Sequence, residues 1–390
     1  MDFNKVKLME KENIMPTYGR FSVALVSGKG ATAVDIEGKK YIDFGSGIGV
    51  NSLGYCDDGW VKAVSEQTAK LQHISNLYYS PIQVEFAEKL CKATGFSKAF
   101  LCNSGAEANE CAIKLARKYS FDKYGSGRDK IITLVNSFHG RTVTTLSATG
   151  QDAMHNYFYP FTEGFEYIKA NDISALENAA KDGICAVMLE CIQGEGGVLP
   201  IDKDYLKAVR ELCNKNDIML IIDEVQTGIG RTGKILAQEH FNIKADITTV
   251  AKGIGAGLPL GACLCNDNLA NVMSAGTHGS TFGGNPVACA GGKYVLDKIN
   301  NPEFLNEINE KSEWLFMQLK SIPQIKEVRG MGLMIGADID ADAKDIASKC
   351  VENGLLILTA KTSLRFLPPL NITYDELKRG LDILKSVLKK

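Results

Sequence analysis

The stretch Ala245-Asp246-Ile247-Thr248-Thr249-Val250-Ala251-Lys252-Gly253 holds a β-branched apolar run that stops on a lysine. The run over 247–250 predicts a buried strand. Glycines follow at 253, 255 and 257. Burial disfavours the charged form of an amine, so a lysine at the end of an internal strand has two readings. In the first, Lys252 sits in water just past the strand, as most lysines do. In the second, it is a partly desolvated amine able to attack a carbonyl and form a Schiff base. Lys252 alone does not separate them, so the ends of the other strands have to.

The totals restrict the answer. At 390 residues the chain exceeds what one core usually holds, and two closely packed domains are expected. Composition is that of an ordinary globular protein, 45% hydrophobic and 23% charged. A net charge of -2 without a basic block excludes nucleic acid as an expected partner. No apolar run reaches membrane-spanning length, and residues 1–7 lack the layout of a signal peptide, so a cytoplasmic protein is expected. Eleven cysteines are scattered through apolar segments such as Ile184-Cys185-Ala186-Val187, as reduced thiols rather than a disulfide framework. Cys263 and Cys265 share one face of an apparent strand with no second Cys/His pair nearby. They read as packing residues, and no metal is expected.

Residues 23–26 read as a strand, with hairpin turns at Gly28-Lys29-Gly30 and over 35–39. Phe44-Gly45-Ser46-Gly47-Ile48-Gly49 contains a G-x-G-x-G. Its third glycine is one position early for a dinucleotide fingerprint, and no strong strand and helix bracket it. From about 55 to 280, strands over 99–102, 131–135, 186–189, 218–222, 247–250 and 262–264 alternate with helices such as 106–119 and 205–214. That alternation predicts an α/β domain with a mostly parallel central sheet flanked by helices. Beyond it, helices over 286–299, 304–319, 343–353 and 374–388 and strands over 332–337 and 355–358 read as a smaller α+β domain, with Arg365 between elements. The expected division is 1–50 as the N-terminal segment of the small domain, 51–284 as the large domain, and 285–390 as the small domain with its linking helix.

Ligands bind beyond the carboxyl ends of parallel strands. Ser104-Gly105-Ala106 opens a helix and offers backbone N–H groups and a hydroxyl to a phosphate, or serves as a plain N-cap. Asp223 is a solvated carboxylate, or a counter-charge for a ring nitrogen. Phe138 is core, or stacks on a flat ring. Arg141 and Arg365 are surface ion pairs, or forks for carboxylates. Gly228 to Lys234 matches the phosphate loop of nucleotide hydrolases, but Ile235 stands where a magnesium-binding Ser or Thr is needed, and the loop starts five residues past Asp223. A phosphate seat, a stacking aromatic, an acid and a Schiff-base lysine are together what pyridoxal phosphate requires.

Six motifs in order carry a resemblance. They are Ser104-Gly105-Ala106-Glu107-Ala108-Asn109, Phe138-His139-Gly140-Arg141-Thr142, Gln193-Gly194-Glu195-Gly196-Gly197, Asp223-Glu224-Val225-Gln226-Thr227-Gly228, Ala251-Lys252-Gly253, and His278 through Pro286. Over nearly its whole length the chain resembles the class III aminotransferases, pyridoxal-phosphate transferases of fold type I. His139 and the run over 146–151 are similar to the acetylornithine branch, whereas the ornithine branch usually has Trp after that Phe. The resemblance implies transfer of the side-chain amine of N2-acetylornithine to 2-oxoglutarate, as in arginine biosynthesis. The alternatives are ornithine, succinylornithine, succinyldiaminopimelate or 4-aminobutyrate as donor, an intramolecular aminomutase, or a binding module that kept the pocket.

The resemblance also implies roles. Lys252 tethers the cofactor and shuttles a proton. Asp223 pairs with the pyridine nitrogen, Phe138 and Val225 sandwich the ring, and Gln226 bonds its phenolic oxygen. Ser104, Gly105 and Ala106 hold the phosphate, completed by Thr281 from the second subunit of a homodimer. Arg141 binds the carboxylate of acetylornithine and later the distal carboxylate of 2-oxoglutarate. Arg365 binds the α-carboxylate of 2-oxoglutarate, with Glu195 neutralising it in the other half-reaction. Tyr18 and Ser280 complete the substrate site. Tyr55-Cys56-Asp57-Asp58 and Cys191 depart from the family pattern at positions not expected to touch reacting atoms.

Overall fold

The computed structural model describes residues 1–389. Its centre is a seven-stranded sheet of β1 (Lys98–Cys102), β2 (Lys130–Leu134), β3 (Phe165–Ile168), β4 (Ile184–Leu189), β5 (Met219–Asp223), β6 (Ile247–Val250) and β7 (Gly261–Cys265). The spatial order is β1-β7-β6-β5-β4-β2-β3. Neighbours are parallel except at β7, which runs antiparallel to both β6 and β1. Six strands therefore aim their carboxyl ends at one rim. The inner strands are largely apolar because both faces are covered: β4 is Ile-Cys-Ala-Val-Met-Leu, and β5 is apolar up to Asp223. Leu220 and Ile222 of β5 join one core cluster, and Met219 and Ile221 join the cluster on the opposite face. Cys263 and Cys265 pack in that second cluster with Cys111. Each fully buried Ile or Leu here contributes about 1.5–3 kcal/mol.

Helix α1 (Gly105–Tyr124) lies on the second face and buries Cys111, Ala112, Leu115 and Ala116. Two smaller sheets flank this unit. Leu25–Lys29, Thr32–Asp35 and Lys40–Asp43 form a meander whose last strand pairs in parallel with Leu355–Leu356, joining the two ends of the chain. Ile325–Met331, Met334–Ile339, Ser363–Phe366 and Leu358–Ala360 form the other, antiparallel throughout.

Several boundaries differ from the sequence reading. The first strand runs through Gly28 and Lys29, paired with Ala33 and Thr32, and the turn falls at Gly30; Gly28 fits there because a Cβ would meet the Tyr55 ring at 2.6 Å. The strand Lys40–Asp43 does precede the G-x-G-x-G segment, which forms a four-residue turn with Gly47 and Ile48 left-handed. The run expected over 355–358 is split at Ile357 between two sheets, and the strand expected over 332–337 is the second arm of a hairpin. Arg365 lies within a strand, not between elements.

The loop over 228–235 is structural. Arg231 is 3% exposed, and its Nη1 donates to the carbonyls of Leu333 (3.0 Å) and Pro368 (2.6 Å). Burial pushes the guanidinium down to about 9, and Asp43 opposes that shift. Arg231→Met is expected to cost about 3 kcal/mol by leaving those two carbonyls unpaired. A thermal-unfolding midpoint within a degree of the parent would refute this role.

Candidate active site

A cavity of about 460 Å³ opens at the rim where the strand ends converge. Its wall includes Ser104, Gly105 and Ala106 after β1, Phe138 to Arg141 after β2, Glu190 after β4, Asp223, Val225 and Gln226 after β5, and Lys252 after β6. At the start of α1, the Ser104 hydroxyl accepts from the Glu107 N–H at 3.2 Å, a regular N-cap. The first-turn N–H groups that follow have no partner within the helix, and Gly105 and Ala106 line the cavity, so the N-cap does not prevent this helix start from receiving an anion. A Cβ on Gly105 would meet Val225 Cγ1 at 2.6 Å, so only glycine lets the helix start approach Val225 this closely.

Asp223 forms the floor and is 4% exposed. Its Oδ2 accepts from Asn109 Nδ2 (2.7 Å) and lies 2.9 Å from His139 Nδ1, and its Oδ1 accepts from the Val225 N–H (3.0 Å). Asn109 is fixed in turn by the Thr249 hydroxyl at 2.7 Å and by the His139 carbonyl at 2.7 Å. Lys252 opens a one-turn 3-10 segment with φ 47°, a left-handed backbone costing a non-glycine residue about 1–2 kcal/mol. Burial lowers its affinity for a proton; Glu195 opposes the shift and Arg365 adds to it. Glu190 is buried, and its carboxylate accepts from the Phe138 N–H (3.0 Å) and the Gly194 N–H (3.3 Å). Burial and the neighbouring Asp223 push Glu190 well above the ordinary carboxylate range.

Arg141 is exposed at the mouth, its guanidinium 5.7 Å from the Phe138 ring centroid. Behind Gln226, Arg365 Nη1 meets Glu195 Oε1 at 2.5 Å, and Gln226 bridges the two with contacts of 3.3 Å to each. Burial raises the Glu195 carboxyl, and the Arg365 guanidinium more than reverses this, leaving it below its ordinary value.

Nine residues named from the sequence therefore line the cavity, and Arg365 and Glu195 back it behind Gln226. Three do not. Tyr18 is 72% exposed and stacks against Arg20. Thr281 is exposed outside the wall, and Ser280 caps the far side of the helix start, its hydroxyl accepting from Asn103 Nδ2 and the Gly283 N–H at 3.0 Å each. Sequence reasoning gave no role to Asn109, His139 or Glu190. The available signal was position: Glu190 is the first residue after β4, and Asn109 lies a turn into α1 on its buried side.

The donor set fits a phosphorylated pyridine aldehyde. It offers an anion seat at a helix start, two apolar residues for opposite faces of a ring, a buried carboxylate for a ring N–H, and an amine with a lowered proton affinity. Fold and site together define a pyridoxal-phosphate-dependent transferase of fold type I. The profile of the Aminotransferase class-III family matches residues 14–388, and the chain belongs to that family. The acetylornithine aminotransferase of Haemophilus ducreyi is 50% identical over all of both chains. The acetylornithine aminotransferase of Elizabethkingia anophelis superposes with a TM-score of 0.90 at 35% identity, covering 100% of this chain and 99% of that one. An ornithine aminotransferase of Toxoplasma gondii, described with partial pyridoxal phosphate at its active site, gives 0.95 at 33% identity, covering 100% and 94%.

Asp223→Asn replaces an anionic acceptor by a neutral amide and loses a charge-assisted bond of about 1.5–3 kcal/mol. Titration of the apo-protein with pyridoxal phosphate, followed by visible absorbance, is expected to give an affinity at least tenfold weaker. Equal affinity would remove the assigned partner of the ring nitrogen.

Proposed function

We propose that the protein transfers the side-chain amine of N2-acetylornithine to 2-oxoglutarate, giving N-acetylglutamate 5-semialdehyde and glutamate. The observation that carries this reading is the pairing of a free Arg141 with an Arg365 already neutralised by Glu195. The donor brings one carboxylate and the acceptor two. The chain from the reacting nitrogen to the far carboxylate is one methylene longer in acetylornithine than in glutamate, so a flexible Arg141 can hold either. Arg365 is then needed for one substrate only, and Glu195 occupies it for the other. The 50% identity to an acetylornithine aminotransferase supports the same donor. The 0.95 TM-score to an ornithine aminotransferase makes free ornithine the competing donor.

Pyridoxal phosphate, when bound, supplies the carbonyl that receives the amine and a ring that takes up the electrons of the broken C–H bond. Ser104, Gly105 and Ala106 hold its phosphate, and Asp223 keeps the ring nitrogen protonated. Phe138 and Val225 hold the ring plane, and the Gln226 amide donates to the phenolic oxygen. The Lys252 ε-amine would carry the proton between the substrate carbon and the cofactor's aldehyde carbon, two bonds apart across the nitrogen. Arg141 and Arg365 orient the carboxylates, with Tyr18 and Ser280 at the edge of the substrate site. We further read the protein as a cytoplasmic homodimer in which Thr281 of a second copy reaches the phosphate. The exposure of Thr281, Phe282 (62%) and Tyr79 (99%) supports the dimer, and eleven unpaired cysteines support a reducing compartment. The proposed division is 1–50 with 285–390 around a large domain of 51–284.

A panel of amine donors ranked by kcat/KM tests the assignment. Acetylornithine is expected to lead free ornithine by at least tenfold, and Lys252→Ala to abolish turnover; no glutamate from acetylornithine would end the proposal. The lowered proton affinity of Lys252 gives a pH dependence with a definite sign. Only the neutral amine captures the cofactor, so capture by the apo-protein should accelerate as pH rises and level off below 10.5, the value of an ordinary lysine. A rate still climbing at that pH would contradict the burial argument.

A further inference from the structure

Arg329, Gly336 and Arg365 stand in one row across three strands. Arg329 pairs with Gly336, and Gly336 pairs with Arg365. Opposed residues in a sheet project to the same face, so two arginines flank a position with no side chain. Into that gap presses the tip over 194–198, which joins the short strands Ile192–Gln193 and Leu199–Pro200. A Cβ on Gly336 would meet Val198 Cβ at 2.9 Å and the Gly197 carbonyl oxygen at 3.1 Å. One arginine grips each end of the tip. Arg365 holds Glu195, and Arg329 donates from Nε (3.0 Å) and Nη2 (2.9 Å) to the Gly197 carbonyl. Arg329 is itself fixed by Asp338, at 2.7 Å and 2.9 Å, and by the Ser363 hydroxyl at 2.8 Å, two residues from Arg365 on the same strand.

The two grips differ in kind. A substrate carboxylate competes directly with Glu195 for Arg365. No substrate competes for a main-chain carbonyl. Once the Glu195 contact opens, the tip keeps the buried Val198 at one end and the Gly194 N–H on Glu190 at the other, but between them it has glycines at 194, 196 and 197 and left-handed backbone at Val198 (φ 55°), and Arg329 is the side chain that fixes the Gly197 carbonyl.

We propose that Arg329, seated beside the bare Gly336, is the positioning residue that keeps the Glu195 tip in register with Arg365 while their ion pair opens and re-forms. It thereby governs how well the site separates a monocarboxylate amine donor from a dicarboxylate acceptor. This rests on the roles of Arg365 and Glu195 given under the proposed function. Loss of the Gly197 contact lets Glu195 drift from Arg365, and an unneutralised Arg365 penalises the donor that has no carboxylate for it.

Single-turnover absorbance changes of the holoenzyme with each substrate test this in Arg329→Gln, Arg329→Lys, Glu195→Gln and the Glu195→Gln/Arg329→Gln double variant. Lysine keeps the charge beside Asp338 but lacks the fork that reaches Gly197, so it guards against a folding defect in the glutamine variant. Both Arg329 variants are expected to lower kcat/KM for acetylornithine about tenfold and to change it for 2-oxoglutarate by less than twofold. In the Glu195→Gln background the Arg329 change should add less than twofold. Equal losses in both half-reactions, or losses that multiply in the double variant, would overturn the proposal. Hydrogen exchange of peptides spanning 192–199 gives a readout independent of turnover, with at least tenfold faster exchange expected in both Arg329 variants; unchanged exchange would also overturn it. Should the parent enzyme not use acetylornithine at all, the donor assignment fails, and the exchange experiment still decides the anchor.

Discussion

A carboxylate buried without a fixed cation governs this pocket. Among the described residues no lysine or arginine pairs with Asp223; its partners are Asn109, the Val225 N–H and the His139 ring. Removing such a charge from water costs several kcal/mol, and hydrogen bonds to an ion return about 1.5–3 kcal/mol each. The balance requires every donor to be in place. Asn109 comes from the helix after β1, His139 from the loop after β2, and the Thr249 that fixes Asn109 from β6. One anion thus sets the relative positions of four chain segments.

The remaining charges are arranged around that anion. Arg365 and Glu195 cancel one another, Glu190 is pushed toward its neutral form, and Lys252 toward its own. What remains is negative at the floor and positive at the mouth, where Arg141 is exposed. Such a polarity suits a bound molecule with a cationic ring inside and a carboxylate outside. It also orients an arriving substrate before contact, since fields act over longer range in a cleft with low-dielectric walls.

The inner strands were legible because burial on both faces leaves mostly apolar and β-branched residues, and their charged ends then stand out. The edge strand β3 was not, since Phe165-Glu166-Tyr167-Ile168 is only half covered and mixes polarity. Helix Asp58–Lys70 has no buried residue in this chain and so showed no apolar stripe to find. Arg365 was read outside any strand because a charge between prolines and a polar turn looks solvated. Its neutralisation by Glu195, which permits the burial, comes from a residue 170 positions away. Asn109, His139 and Glu190 are polar groups whose importance lies wholly in what they touch, and one-dimensional spacing does not encode that. Tyr18, Ser280 and Thr281 came from resemblance alone, and the single chain leaves them off the cavity wall.

The antiparallel β7 has a consequence for the order of assembly. The first strand of the sheet in sequence, β1, has β7, the last, as its neighbour. During synthesis β1 and the helix start at Ser104 must wait until residue 265 has emerged before the sheet can take them in. In chain order the sheet therefore extends from its β3–β2 edge strand by strand toward β1, and the wall that carries Ser104, Gly105 and Ala106 joins last. Asp223 and Lys252 end strands that pair before β1 is taken in, so the pocket has its full set of walls only when the whole central sheet is assembled.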